Sequence, residues 1–344
     1  MKSAQFTGIR QIEIRDLPAP RLTGENDVLL RIKAVGVCGS DVHYFVDGRI
    51  GDQILEYPIT PGHEFSAVVE QVGAAVFRLR PGDRVAVEPA ISCGSCDQCL
   101  SGRQNTCRNV KFVGAPNQWP GASSEFLVMP ERNCFKIPDS MSFAQGAFAE
   151  PLSIAIYGLT YLASRAPRTA VILGAGPIGL SVLLEAKQQH IPKVFVSEKL
   201  DYRIEAAKNA GATWTGNPDK ADIVSELLEQ EPLGFDAVME CCGQQEAIDQ
   251  AIELLKPGGA LLIYGIPAQS RISFDINAVR RKEITIQPIR RQNECVKPAI
   301  NRIASGQINI DSLITHTGGL QDSQKLYDLA ANYADGVIKA VVEM

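Results

Sequence analysis

Residues 169–190 read TAVILGAGPIGLSVLLEAKQQH. An apolar run short enough for a buried strand meets a glycine-rich turn, and a helix-periodic apolar stretch follows at once. The turn carries Gly174-x-Gly176-x-x-Gly179, with Pro177 and Ile178 in the last two variable places. Such a glycine triplet is a weak sign alone and gains force only in this strand–turn–helix setting. Gly174 suits the tight turn, Gly176 lets the backbone approach a pyrophosphate, and Gly179 lets helix pack closely on strand. The helix N-terminus adds N–H donors and the positive end of its dipole. Nineteen residues past Gly179, Glu198 ends the next strand-like run, KVFVSEK. A carboxylate there accepts hydrogen bonds from both ribose hydroxyls and repels a 2′-phosphate, so NAD is expected over NADP. Lys199 and Arg203 stand beside it and could tolerate a phosphate. The competing explanation is an ordinary strand–helix turn with a surface glutamate.

The same alternation continues in LDYRIEAAKNAGA, FDAVMECCG, EAIDQAIELLKPGG and ALLIYGI. Apolar strands alternating with helices predict an α/β unit with a doubly wound parallel sheet. Before about residue 145 the texture differs. DVLLRIKAVGVCGSD, EFSAVVEQVG, DRVAVEP and SSEFLVMP are short β-branched runs broken by Gly and Pro, as in a barrel-like, strand-rich domain. The tail after about 285 is too irregular to fold alone and is expected to return to that domain. The division expected is 1–148 with 286–344, and 149–285.

At 344 residues, two domains are expected. The chain is 45% hydrophobic and 21% charged with a net charge of −5, and no Lys/Arg run stands out, so nucleic acid and anionic membranes are poor partners. The opening MKSAQFTGIR lacks an apolar h-region and no apolar run of about eighteen residues occurs, so a cytoplasmic chain with reduced thiols is expected. Against that background, CGSCDQCLSGRQNTC places four of nine cysteines, Cys93, Cys96, Cys99 and Cys107, within fifteen residues. Spacing C-x2-C-x2-C-x7-C suits a structural, tetrahedral zinc in a lobe at 90–110, with an iron–sulfur cluster, a disulfide or unliganded thiols as the alternatives.

Three further motifs remain: GVCGSDVHYF (36–45), PGHEF (61–65) and FAEPLS (148–153). Cys38, His63 and Glu64 offer a thiolate, an imidazole and a carboxylate, all zinc-ligand types. Spacing alone does not join them. A buried cysteine, a surface turn and, for Glu150, a helix-start carboxylate are the plainer readings one by one.

Taken in order, CGSDVHYFVDGRIGD, PGHE, PGDRVAVEP, the four-cysteine lobe, EPLSIA, GAGPIGL and LITH resemble the zinc-dependent medium-chain dehydrogenases, and among them the polyol (sorbitol or L-iditol 2-) dehydrogenases. The resemblance implies a GroES-like catalytic domain plus a Rossmann coenzyme domain. It implies two zinc ions per chain, the catalytic one on Cys38, His63 and Glu64 with Glu150 beside the fourth position. Some relatives use a second cysteine where Glu64 or Glu150 stands. Ser40 and His43 fall where the family has its proton relay. Tyr44, Glu150 and Arg290 fall where it binds substrate, and Arg203, Tyr264, Gly265, Ile266 and Arg290 where it meets the coenzyme. The implied reaction takes a hydride from a secondary alcohol of a polyol or sugar-derived substrate to NAD, in a homodimer or homotetramer. Two departures unsettle the substrate. Arg290 is flanked by Ile289 and Arg291 rather than by aromatics, and FVGAPNQWPGASSEF, with Phe112 and Trp119, replaces the usual pocket-wall run. A second guanidinium favours a sugar acid or sugar phosphate. L-threonine 3-dehydrogenase shares the zinc architecture and is an alternative, as is a non-catalytic NAD(P)H-binding protein.

Overall fold

The computed structural model describes residues 1–267 and 269–344. The chain divides into two compact units, Met1–Glu150 with Val296–Met344, and Pro151–Cys295. The helix Phe143–Thr160 carries the chain from one to the other, with Pro151 inside it.

The first unit is organised on the strand Asp27–Gly36, whose alternately branched and apolar residues are almost all buried. One edge pairs antiparallel with Glu64–Val72. The other edge is shared: Phe126–Pro130 takes Asp27–Arg31, and the C-terminal strand Lys339–Glu343 takes Ala34–Gly36. Arg84–Val87 and Cys134–Lys136 extend the sheet on one side, and Ile314–Gly319, parallel to Lys339–Glu343, on the other. The returning tail therefore completes this sheet. A hairpin of Lys2–Gly8 and Gln11–Asp16 lies apart from it. Phe6 from the hairpin, Phe45 from the helix Gly39–Asp47 and Tyr327 from the helix Ser323–Asn332 meet in the core, with ring centroids 5.2 to 5.7 Å apart.

The second unit holds one parallel sheet of six strands in the order Trp214–Gly216, Lys193–Ser197, Thr169–Leu173, Phe235–Glu240, Leu255–Ile263, Thr285–Pro288. Numbered along the chain, this is 3-2-1-4-5-6, the doubly wound order whose switch point lies between its first and fourth strands. The unit runs on to Cys295, past the boundary expected near 285, because Thr285–Pro288 is its sixth strand. Backbone geometry explains the glycines of the first turn. Gly174 has φ of 97°, open to glycine at little cost, and a Cβ on Gly179 would run into the Gly174 carbonyl oxygen. No helix among the described residues is long and apolar enough to cross a membrane.

The aromatic trio yields a direct expectation. Phe45 is fully buried, so Phe45→Ala should destabilise the first unit by about 3–5 kcal/mol. Urea unfolding followed by Tyr and Trp fluorescence checks this.

Candidate active site

Cys38 is the extended residue that precedes the helix Gly39–Asp47, and Glu64 opens the strand Glu64–Val72 just after His63. These two segments bring one atom of each of Cys38, His63 and Glu64 within 4.8 Å of one another. Residues 25 positions apart in the sequence thus converge because Gly36, two residues before Cys38, pairs with Glu64 across the sheet. His63 and Glu64 are buried. One sulfur, one nitrogen and one carboxylate make a donor set that suits zinc with an open position.

The surroundings of this cluster were only partly foreseen. Asp41, buried in the first turn of the same helix, lies with Oδ2 3.3 Å from His63 Nδ1. A carboxylate beside that nitrogen favours a proton there and leaves the other nitrogen to ligate. Burial works against a charged His63, yet the negative charges of Asp41 and Cys38 outweigh it and hold the imidazole well above its ordinary value. Phe112 packs on His63 with centroids 5.0 Å apart, while Trp119 donates its indole N–H to the Val128 carbonyl. Lys339, from the C-terminal strand, donates to both oxygens of Glu64. Asp41 stood in plain view within CGSD, three residues after Cys38. Lys339 had a fainter signal, a lysine inside the apolar run GVIKAVVEM.

The other expected residues fall as follows. Ser40 Oγ donates to Cys38 Sγ at 3.3 Å. His43 Nδ1 lies 3.5 Å from Asp47 Oδ2 on a side chain 42% exposed, one helical turn on from Ser40. Tyr44 donates its hydroxyl to Gln53 Oε1 at 2.9 Å. Glu150 is buried and stands outside the three-ligand group, although its charge reaches Lys339.

In the second lobe, four sulfur–sulfur distances lie between 3.5 and 4.0 Å, linking Cys93, Cys96, Cys99 and Cys107. A zinc–sulfur bond of about 2.3 Å implies tetrahedron edges of about 3.8 Å, so the cage fits. Disulfides, at about 2.05 Å, do not fit these separations, and all nine cysteines are free. N–H donors prepare the thiolates. The Ser95 backbone leads in pulling Cys93 down to about 5, and the Cys99 backbone leads in lowering Cys96. Burial, the largest influence on Cys99, pushes that thiol up to about 11.

In the parallel-sheet unit the helix Pro177–Gln188 begins at Gly176 with no side-chain cap, so its first N–H groups remain available to an anion. Ile178 sits in that first turn. Glu198 Oε2 accepts from Ala175 N at 2.7 Å, and Oε1 from Lys199 N and Leu200 N. Glu198 is thus anchored to the glycine turn. Lys199 Nζ is engaged by Asp219 at 2.8 Å, which leaves it poorly placed to meet a phosphate. Arg203 overhangs the turn, 3.6 Å from where a Cβ on Gly176 would stand. The Tyr264 ring is buried against Gly158 and its hydroxyl donates to the Ala155 carbonyl. Gly265 closely approaches Gly243 and Glu240, Ile266 is 49% exposed, and Arg290 is exposed beyond the strand Thr285–Pro288.

Residues 24–139 match the alcohol dehydrogenase GroES-like domain family, and residues 177–305 the zinc-binding dehydrogenase family. Sorbitol dehydrogenase of Bacillus subtilis is 34% identical over 343 residues, covering 99% of this chain and 97% of the relative. Probable D-xylulose reductase A of Neosartorya fischeri is 35% identical over 326 residues, covering 93% and 90%. Among solved structures, a protein of Sinorhizobium meliloti described as a zinc-binding dehydrogenase bound to NADP shares 30% identity with a TM-score of 0.90, covering 100% of this chain and 99% of its own.

Two donor sets lead to a count. Freshly purified protein should carry about two zinc ions per chain, and Cys96→Ser should lower that to about one while reducing thermal stability. Elemental analysis beside a melting curve tests both; an unchanged count and melting temperature in the variant would refute the structural cage.

Proposed function

The chain belongs to the zinc-dependent medium-chain dehydrogenases, in their polyol branch, and from that membership we propose that it oxidises a secondary alcohol of a polyol or sugar-derived substrate to the ketone, with NAD as acceptor. The observation that carries this reading is the convergence of Cys38, His63 and Glu64 on one point. When bound, zinc supplies Lewis acidity to the alcohol and the nicotinamide supplies the hydride acceptor.

The chain's own groups then have distinct tasks. Cys38, His63 and Glu64 hold the metal, and Asp41 orients His63. Cys38 and Glu64 bring two negative charges to a divalent cation, so the site is close to neutral when His63 is uncharged. Ser40, next to the Cys38 sulfur, accepts the alcohol's proton while releasing its own, and His43, three residues on along the same helix and partly in solvent, passes a proton to water. Glu150 serves as an outer-shell or exchangeable carboxylate. Tyr44, steadied by Gln53, and Arg290 hydrogen-bond substrate hydroxyls. Gly174, Gly176, Pro177, Ile178 and Gly179 cradle the pyrophosphate, and Glu198 closes the ribose site. Arg203, Gly265 and Ile266 flank the coenzyme. Exposed Ile276 and Phe274 near the edge strand Thr285–Pro288 support a homodimer or homotetramer, and the reduced thiols support a cytoplasmic setting.

A panel of polyols, 2,3-diols, sugar acids, sugar phosphates and hydroxy amino acids such as L-threonine, with NAD reduction read at 340 nm, tests the reaction. Oxidation of a polyol with higher kcat/KM for NAD than for NADP is expected; turnover confined to sugar phosphates or amino acids would overturn the substrate class. Glu198→Ala should narrow the preference for NAD roughly tenfold or more, since a hydrogen-bonded anion that rejects a phosphate is removed. Equal discrimination in the variant, measured as the ratio of kcat/KM for the two coenzymes, would sink that assignment.

A further inference from the structure

Lys339 is the most unusual charge in the molecule. Its side chain is 2% exposed, as is that of Glu64, and the two form a closed ion pair. All three ammonium donors are used, by Glu64 Oε1 at 2.9 Å, Glu64 Oε2 at 2.7 Å and the Val37 carbonyl at 3.0 Å. The pair reaches across the sheet. Glu64 lies opposite Gly36, and Val341 of the C-terminal strand pairs with Gly36 from the other side. The carboxylate crosses over Gly36 to meet Lys339, and a Cβ at that position would strike Glu64 Oε2.

Glu64 is therefore within ligating reach of Cys38 and His63 while both its oxygens face an ammonium. We propose that Lys339 is the resident counter-cation of Glu64, competing with zinc for one carboxylate and thereby making Glu64 a displaceable ligand. This rests on the zinc reading of the Cys38–His63–Glu64 cluster. A buried carboxylate that left a metal with no other cation near would be stranded, at a large desolvation cost. Lys339 receives it, so the metal position opens to a substrate oxygen without an uncompensated anion. With zinc bound, the formal charges of Cys38, Glu64, Glu150, Lys339 and the metal cancel, and the buried Asp41 carboxylate beside His63 leaves one negative charge over. Lys339 is a positioning residue, since it acts through Glu64.

The direction of the effect separates this role from simple orientation. Removing an outer-shell partner that merely orients a ligand weakens metal binding, by roughly 10- to 100-fold. Removing a competing cation strengthens it. The test follows zinc transfer from Lys339→Met, Lys339→Arg and native protein to a chromophoric chelator, the relevant phase being the one absent in Cys38→Ser. In Lys339→Met this phase should slow by roughly tenfold or more, as loss of a buried like charge beside a divalent cation implies. Lys339→Arg should stay within roughly threefold of native. Melting curves should show Lys339→Met destabilised after zinc removal and restored by zinc. Unchanged or faster zinc loss in Lys339→Met overturns the proposal, as does failure of that variant to fold with zinc present, because zinc then cannot replace the ammonium. If Cys38→Ser leaves the zinc count unchanged, the metal reading itself fails, and the count identifies that failure separately.

Discussion

Asp27–Gly36 is hydrogen-bonded along both edges, and one of those edges is divided between two strands that arrive from opposite parts of the chain. Almost every later feature of the first unit depends on that sharing. The register with Glu64–Val72 sets Glu64 beside Gly36, and Cys38 follows two residues further on, where the chain leaves the sheet for a helix. The register with Lys339–Glu343 brings a lysine to the far side of the same glycine. A one-residue slip in either ladder would turn these side chains to the opposite face. The metal cluster is thus a property of strand pairing before it is a property of its ligands.

The parallel-sheet unit was legible from TAVILGAGPIG onward, because strand, turn and helix each carry a local signature and Glu198 ends the following strand-like run at the expected distance. The four-cysteine cage was equally legible, since all its ligands lie in one short loop and their spacing alone limits the geometry. Cys38, His63 and Glu64 could be joined only through resemblance, for they meet through long-range pairing that no local pattern records. Asp41 and Lys339 were missed for the same reason: each matters through a partner far away in the chain. The packing of Tyr264 was not legible either, because the absence of a side chain at Gly158, more than a hundred residues earlier, makes room for its ring.

Charge is distributed differently around the two metal sites. The lobe turns N–H donors toward its sulfurs, from Cys93 and Asn109 to Cys107 and from Ser95 to Cys93, and such donors lower Cys93 and Cys96 while burial raises Cys99. A pre-formed cage of this kind suits a permanent ion. The Cys38 cluster instead mixes acids with a buried ammonium, so its electrostatics allow rearrangement around the metal. One set of donors is organised to keep an ion, the other to let its neighbours move.

The separation of Glu64 and Lys339 by 275 positions also sets a timetable. The coenzyme-type unit, Pro151–Cys295, lies wholly between them in the chain and is complete before Lys339 is made. Domains that emerge complete from the ribosome fold as they appear. Pro151–Cys295 has all its strands by the time Cys295 is made. The sheet of the first unit still lacks its C-terminal strand, and Glu64 its ammonium, until Lys339 has been added. The sheet that joins Cys38, His63 and Glu64 therefore closes last, after the parallel-sheet unit already has every strand it needs.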